Sequence, residues 1–229
     1  MTIQIRVDLH VHTTYSHDSL ITPKDLIYYA KKNGLNAIAV TDHNHLAGAL
    51  KIAKETQDFL VIPGMEISSQ EGHIVALNIK EPIPRDLTAK ETVKRIHTAG
   101  GIAIACHPYV YFKGSLQNAA VCNEFDAIEV INARAFPFKK SIKKAQEAAE
   151  IFSLSQVAGT DAHYGPQIGY GYTTIDVEEP TIEAITQAIL QGHCQPHGQQ
   201  VPLMLNIQQQ TKRLQRMINK TTSKLKRQL

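Results

Sequence analysis

Tryptophan is absent from this 229-residue chain, and aromatic residues make up only 6% of it. Ile, Val, Leu and Ala must therefore fill the core. Cysteine is scarce. Cys106, Cys122 and Cys194 are an odd count at wide spacing, which does not read as a disulfide framework and fits a reducing compartment. No apolar run approaches the roughly 18 residues that suggest a membrane span. Met1 leads almost directly into a strand pattern, so no signal peptide is expected and the cytoplasm is the expected location. Acidic residues stop at Glu183, and seven basic ones follow: Lys212, Arg213, Arg216, Lys220, Lys224, Lys226 and Arg227. That leaves 17 of the 24 basic residues upstream against all 21 acidic ones. The body is mildly acidic and the tail strongly basic. No Gly-rich phosphate fingerprint follows the first strand pattern, so an open doubly wound sheet lacks support.

What is present is a repeated strand–helix alternation. Residues 3–11 read as a first strand. Thr22-Pro23-Lys24-Asp25 opens a helix, with Thr22 as cap, Pro23 at the first turn and Asp25 favouring the positive end. Strands are expected over 35–40, 60–62, 73–79, 102–105, 127–131 and 154–158. Helices are expected over 47–59, 88–99, 139–151 and 181–190, with a short one over 115–121 and a Gly/Tyr-rich loop over 164–174. Short apolar strands between amphipathic segments argue for a parallel sheet with covering helices. The length and 43% hydrophobic content suit one α/β domain of about 200–250 residues. The expected division is a catalytic barrel over 1–200 and a basic tail over 201–229, expected to be helical.

Eleven histidines call for an explanation. His10 and His12 stand two apart in an alternating run, so a strand aims both at one spot. Asp161-x-His163 repeats that spacing. Together with Asp18, His43, Glu66, His73 and His107 they fall at strand ends, and in a (β/α) barrel those ends converge on one face. Six imidazoles and three carboxylates are too many ligands for one ion and fit two or three divalent ions, with Zn, Mn or Fe suited to the donors.

The motifs Asp8-Leu9-His10-Val11-His12-Thr13, Thr41-Asp42-His43, Gly64-Met65-Glu66-Ile67-Ser68, Cys106-His107-Pro108 and Gly159-Thr160-Asp161-Ala162-His163 resemble, in order, those of the PHP (polymerase and histidinol phosphatase) family. The resemblance implies a distorted TIM-like barrel, usually of seven strands, with two or three metals at the C-terminal strand ends. Carried over by position, it implies that His10, His12, Glu66 and Asp161 hold one ion. Glu66, His73 and His107 would hold a second, and Asp18, His43 and His163 a third. Many members read Ser-Asp-Gly where this chain has Ser16-His17-Asp18-Ser19, so His17 stands beside Asp18 as an alternative.

The expected function is metal-dependent hydrolysis of a phosphate ester by a metal-bridging hydroxide held through Glu66, Asp161 and His107. A small phosphorylated metabolite or nucleotide is the first substrate reading. The alternatives are a phosphodiesterase or exonuclease on single-stranded nucleic acid, with the basic tail as anchor, and a non-catalytic metal-binding module. Arg134, Lys113 and Tyr109 are the candidates for the substrate phosphate, Arg134 for its bidentate fork. Asp42 either orients a ligand or caps a helix. His45 is expected to face solvent and His97 to be structural.

Overall fold

The computed structural model describes residues 2–111, 114–116 and 121–225, the last six as backbone. Its strands are β1 (Ile3–Asp8), β2 (Ala37–Val40), β3 (Leu60–Ser68), β4 (His73–Leu77), β5 (Ile102–Ala105), β6 (Ala127–Asn132), β7 (Ser155–Gly159), β8 (Gly171–Val177) and β9 (Cys194–Gly198). Its helices are α1 (Pro23–Lys32), α2 (Ala47–Glu55), α3 (Ala89–Thr98), α4 (Phe138–Phe152), α5 (Ile182–Leu190) and α6 (Leu203–Leu225). Local chemistry sets several boundaries. Thr22 and Asp25 form a reciprocal capping box on α1, Thr88 caps α3 and Thr181 caps α5, each satisfying backbone N–H groups that a helix start leaves without partners.

One sheet runs in the order β7-β6-β5-β4-β3-β2-β1-β8-β9. The pairs β1–β2, β2–β3, β5–β6 and β6–β7 are parallel. The wholly parallel sheet expected from the pattern is corrected at β4, β8 and β9, which run antiparallel to their neighbours. The reason at β4 is its connection: residues 69–72 are too few for a crossover helix, so β3 and β4 form a hairpin. The Gly/Tyr-rich loop over 164–174 is likewise shorter than expected, since Gly171 already begins β8. Four residues of the short helix expected over 115–121 lie outside the described residues, and Ser115, Leu116 and Val121 are not helical.

The sheet curls into a nearly closed, distorted α/β barrel. Its seam joins β7 to β8 through a side chain: the Thr173 hydroxyl accepts from Ala158 N at 2.8 Å and donates to Ala158 O at 3.0 Å. The strands approach so closely there that a Cβ on Gly171 would lie 2.2 Å from Gly159 O. Thr173→Val keeps the shape and removes both bonds, leaving two buried backbone groups unsatisfied. The expected cost is about 1–3 kcal/mol, read by urea denaturation.

Val7, Leu9, Ala39, Ile62, Val75, Ile104 and Val157 form one apolar cluster with Ile185 and Ile189 of α5. The opposite strand faces, including Ile38, Ile67, Ile74 and Ile128, pack with α1 to α4 through Leu26, Ile52, Ile96 and Ala145. The barrel floor is therefore dry, and polar groups gather at the mouth. Among the described residues no helix is long and apolar enough to cross a membrane.

Candidate metal centre

The mouth is assembled from strand exits. β1 ends at Asp8, two residues short of His10, but the chain stays in register. Asp161 N donates to His10 O at 2.7 Å and His12 N to Ala162 O at 3.0 Å. His43 follows β2 and forms an isolated parallel bridge with Glu66 of β3. His73 opens β4; because that strand is reversed, its start lies at the same mouth as the other strands' ends. His107 follows β5, and its φ is 34°, while Asp161, past β7, has φ 58°. Both values are sparsely populated for residues with a side chain, and such strain gathers at functional sites.

These exits bring all nine candidate metal residues together, with Glu66 at the centre. Its Oε1 lies 2.7 Å from His73 Nδ1 and 2.9 Å from His107 Nε2. Its Oε2 lies 2.7 Å from His43 Nδ1, 3.3 Å from His12 Nε2 and 3.6 Å from His10 Nε2. Asp161 Oδ1 is 3.3 Å from His12 Nε2 and 3.5 Å from His163 Nδ1. Asp18 Oδ2 sits 3.0 Å from His163 Nε2 and 3.5 Å from His43 Nε2. Asp18, rather than the exposed His17, therefore faces the cluster.

The donor set fits divalent cations. His10 Nδ1 lies 3.2 Å from Glu129 Oε1 and carries the proton toward it. Its Nε2 lies 3.2 Å from His12 Nε2, so the two rings turn their ligand nitrogens to one spot. Asp18 Oδ1 and His107 Nδ1 are buried without hydrogen-bond partners. His10–His12–Glu66, His43–Glu66–His73 and His12–His43–His163 each place their ligand atoms within 4.8 Å of one another.

Without an ion the rings and carboxylates compensate one another. Burial alone would raise the Glu66 carboxyl, but the surrounding histidines hold it well below the ordinary range. Burial, aided by the neighbouring His163, pushes His12 down to about 3. His43 goes the other way: burial opposes its charge, yet Asp18 and Glu66 raise it to about 10. This contribution to metal-free stability is complete below the ordinary value of 6.5 and is lost as pH rises through about 10. At pH 8 the metal-free His43 is thus protonated, and an ion taking this ring must displace that proton. Adding Zn²⁺ to the chelator-stripped protein in weak buffer is expected to release protons, read with an indicator dye, and affinity should climb across this pH range.

Other expectations divide. Arg134 borders a cavity of about 420 Å³ together with Asp18, His43, Glu66, His107 and His163. Its Nη1 donates to Asp161 O at 3.0 Å. Tyr109 does not line that cavity. Its ring packs against the core and under Lys144 Nζ of α4, 5.9 Å away. Lys113 lies outside the described residues. Asp42 is not a helix cap. Its Oδ1 accepts from Thr13 N at 2.7 Å and Ser16 N at 3.1 Å, clamping the loop after His12. His97 is structural, bonded to Asp126 at 2.8 Å, and His45 stacks on Tyr15 rather than simply facing solvent.

Two residues escaped the sequence reading. Glu129, only 3% exposed, holds His10 and accepts from His107 N at 2.8 Å and Asn132 Nδ2 at 3.0 Å. Its signal is a carboxylate inside the otherwise apolar run Ala-Ile-Glu-Val-Ile of β6. Asp8, fully buried, accepts from Thr160 Oγ1 at 2.5 Å, Thr160 N at 2.9 Å and Gly169 N at 3.0 Å, tying β1 to the exit of β7.

Fold and site together define a distorted α/β barrel whose mouth carries a histidine–carboxylate centre able to hold metal ions. The chain belongs to the PHP domain family, whose model matches residues 8–222. It is 36% identical over 141 residues to an uncharacterised protein of Methanocaldococcus jannaschii, covering 56% of this chain and 82% of that one. It is 30% identical over 170 residues to the 5′-3′ exoribonuclease Rnm of Escherichia coli, covering 70% of this chain and 57% of that protein. The chain thus spans a little over half the length of that exoribonuclease. A solved two-domain protein from Bacteroides vulgatus, described as containing a predicted PHP-like metal-dependent phosphoesterase, superposes with a TM-score of 0.72. Its identity is 17%, with 86% of this chain and 66% of that one covered, a likeness of fold.

Proposed function

We propose that this protein hydrolyses phosphate esters with two or three divalent ions, on a small phosphorylated metabolite or nucleotide. The observation that carries the reading is Glu66, one buried carboxylate within 3.6 Å of five histidine rings, at the wall of a cavity that Arg134 also borders. His10, His12, Glu66 and Asp161 would hold one ion, Glu66, His73 and His107 a second, and Asp18, His43 and His163 a third. Such ions, when bound, make water a stronger acid and neutralise phosphoryl oxygens. The chain's own residues do the rest. Glu129 fixes the His10 ring. Arg134, 26% exposed, offers its fork to a phosphate entering the cavity. Asp161 O and the Asp161 carboxylate keep that fork at the mouth.

The test is the metal-stripped protein reloaded with Mn²⁺, Zn²⁺ or Fe²⁺ and offered p-nitrophenyl phosphate, its bis-ester and a 5′-phosphorylated oligonucleotide. Turnover of the monoester is expected, with Arg134→Ala raising KM about tenfold or more through lost charge-assisted hydrogen bonds. No turnover with any ion would sink the reading.

A second reading, trimming of single-stranded nucleic acid, is favoured by α6. Arg216 Nη1 donates to Ser19 O at 3.1 Å, and Lys212 Nζ lies 5.1 Å from the Tyr164 ring. Ser19 and Tyr164 each adjoin a proposed ligand, Asp18 and His163. The helix therefore sets two cations against the segments that carry those two residues, and a following phosphate would meet them there. The exoribonuclease relatives point the same way. A preference for the oligonucleotide that falls steeply with salt, and falls again in Lys212→Gln and Arg216→Gln, would favour this reading over the first.

A further inference from the structure

We propose that Cys106 adds a sulfur donor to the ion held by Glu66 and His107, a position outside the nine that the family resemblance implies. The inference rests on the reading that the centre binds divalent ions. Cys106 follows the last residue of β5 and is fully buried. Its side chain joins the barrel-interior cluster, so the sulfur lies directly under the mouth. Cys106 Sγ is 3.6 Å from Glu66 Oε1. The sulfur and one ring nitrogen each of His10 and His107 all lie within 4.8 Å of one another.

A buried thiol beside a carboxylate has a simpler reading, a weak S–H hydrogen bond. Glu66 Oε1 leaves little room for it, because that oxygen already takes His73 Nδ1 at 2.7 Å and His107 Nε2 at 2.9 Å. A carboxylate oxygen offers about two lone-pair positions, and both are used. One further atom of the same cluster lacks a partner: His107 Nδ1, on a residue 7% exposed. The spacing also suits a shared ion. With metal–sulfur and metal–oxygen bonds of about 2.3 and 2.1 Å in tetrahedral geometry, sulfur and oxygen stand about 3.6 Å apart. On binding, sulfur bonds the ion as thiolate and the thiol proton passes to solvent. A thiolate favours zinc, iron or cobalt over manganese or magnesium, so this one side chain biases which metal the centre keeps.

Cys122 and Cys194 supply internal controls. Cys194 lies on β9 with its thiol against Gln156 O at 3.5 Å, and neither belongs to the clusters that could hold an ion. The experiment is the absorption spectrum of the full chain, stripped with chelator and loaded with Co²⁺. Histidine and carboxylate ligands give visible ligand-field bands; a thiolate adds a near-ultraviolet sulfur-to-cobalt charge-transfer band. The wild type is expected to show both. Cys106→Ser and Cys106→Ala should keep the visible bands and lose the charge-transfer band, whereas Cys122→Ser and Cys194→Ser keep both. Competition of Zn²⁺ against Mn²⁺ should shift toward Mn²⁺ by about tenfold or more in Cys106→Ala. Visible bands without a charge-transfer band in the wild type, or a band surviving in Cys106→Ser, would overturn the sulfur ligand while leaving the metal centre standing. Absence of any cobalt spectrum would overturn the metal reading itself.

Discussion

Replacing Glu66 with glutamine is expected to lower turnover of a phosphate ester by about a thousandfold or more and to remove more than one equivalent of bound metal. The substitution keeps the side chain's size, so the packing of Met65 and Ile67 on either side, both fully buried, is retained. What changes is charge and donor type. Glu66 sits within 3.6 Å of five histidine rings. One of its two oxygens becomes an NH₂ group, which can neither ligate a cation nor accept from a ring N–H. Removing one partner from a buried charged cluster costs about 3–5 kcal/mol, and about 4 kcal/mol off transition-state stabilisation is a thousandfold in rate. Elemental analysis and kcat on the reloaded protein read both effects. A variant with full metal content and near-wild-type kcat would remove Glu66 from the centre. In the metal-free protein the same substitution should lower the His43 pKa from about 10, because Glu66 is one of the two carboxylates that raise it.

The candidate ligand set is legible in the sequence for a physical reason. Each of His10, His43, Glu66, His107 and Asp161 interrupts or ends a short apolar run, and a buried ionisable group at a strand exit needs a partner. In a barrel, exits of parallel strands share one face. His73 is readable by the same argument but for a different cause, since it opens a reversed strand rather than ending a forward one. The reversal itself is not legible, because an apolar run carries no direction. β8 hides in a Gly/Tyr-rich stretch. Its alternation of buried residues with half-buried or exposed ones from Gly171 to Val177 is the mark of a strand with one covered face, masked by Gly169, Gly171 and two tyrosines. Tyr109 is the opposite case. Two residues from His107, it is near in sequence, but the turn after β5 sends its ring toward α4. Asp42 is misjudged as a possible cap because the pattern Asp-His-Asn before a helix resembles one. The tertiary clamp on Thr13 and Ser16 comes from a segment some 26–29 residues away in the chain, and local spacing does not encode it.

Glu129 is marked in the sequence only by its place in an apolar run, and its removal should weaken metal binding by about 10–100-fold, the usual effect of losing a group that orients a ligand. Its Oε1 lies 3.2 Å from His10 Nδ1, and its Oε2 accepts from His107 N at 2.8 Å. One carboxylate therefore fixes a histidine ring on one side of the centre and the backbone of a second histidine on the other. By holding the proton of His10 on Nδ1, it keeps Nε2 free as the donor. Burial alone would lower the His10 pKa, but Glu129, followed by Glu66 and Asp161, raises it well above the ordinary value in the metal-free protein. Glu129→Ala deletes the acceptor and leaves His107 N–H and Asn132 Nδ2 without it. Glu129→Gln retains an oxygen that can still accept from His10 or His107 N, so its affinity should fall between that of the wild type and the alanine variant. Competition titration with a fluorescent chelator measures both variants. Nitrogen-15 shifts of the His10 ring report the tautomer, a readout that general loss of packing does not move in a defined direction. If Glu129→Ala binds metal as tightly as the wild type and His10 keeps its proton on Nδ1, then the centre is held in place by the strands alone and Glu129 is a bystander.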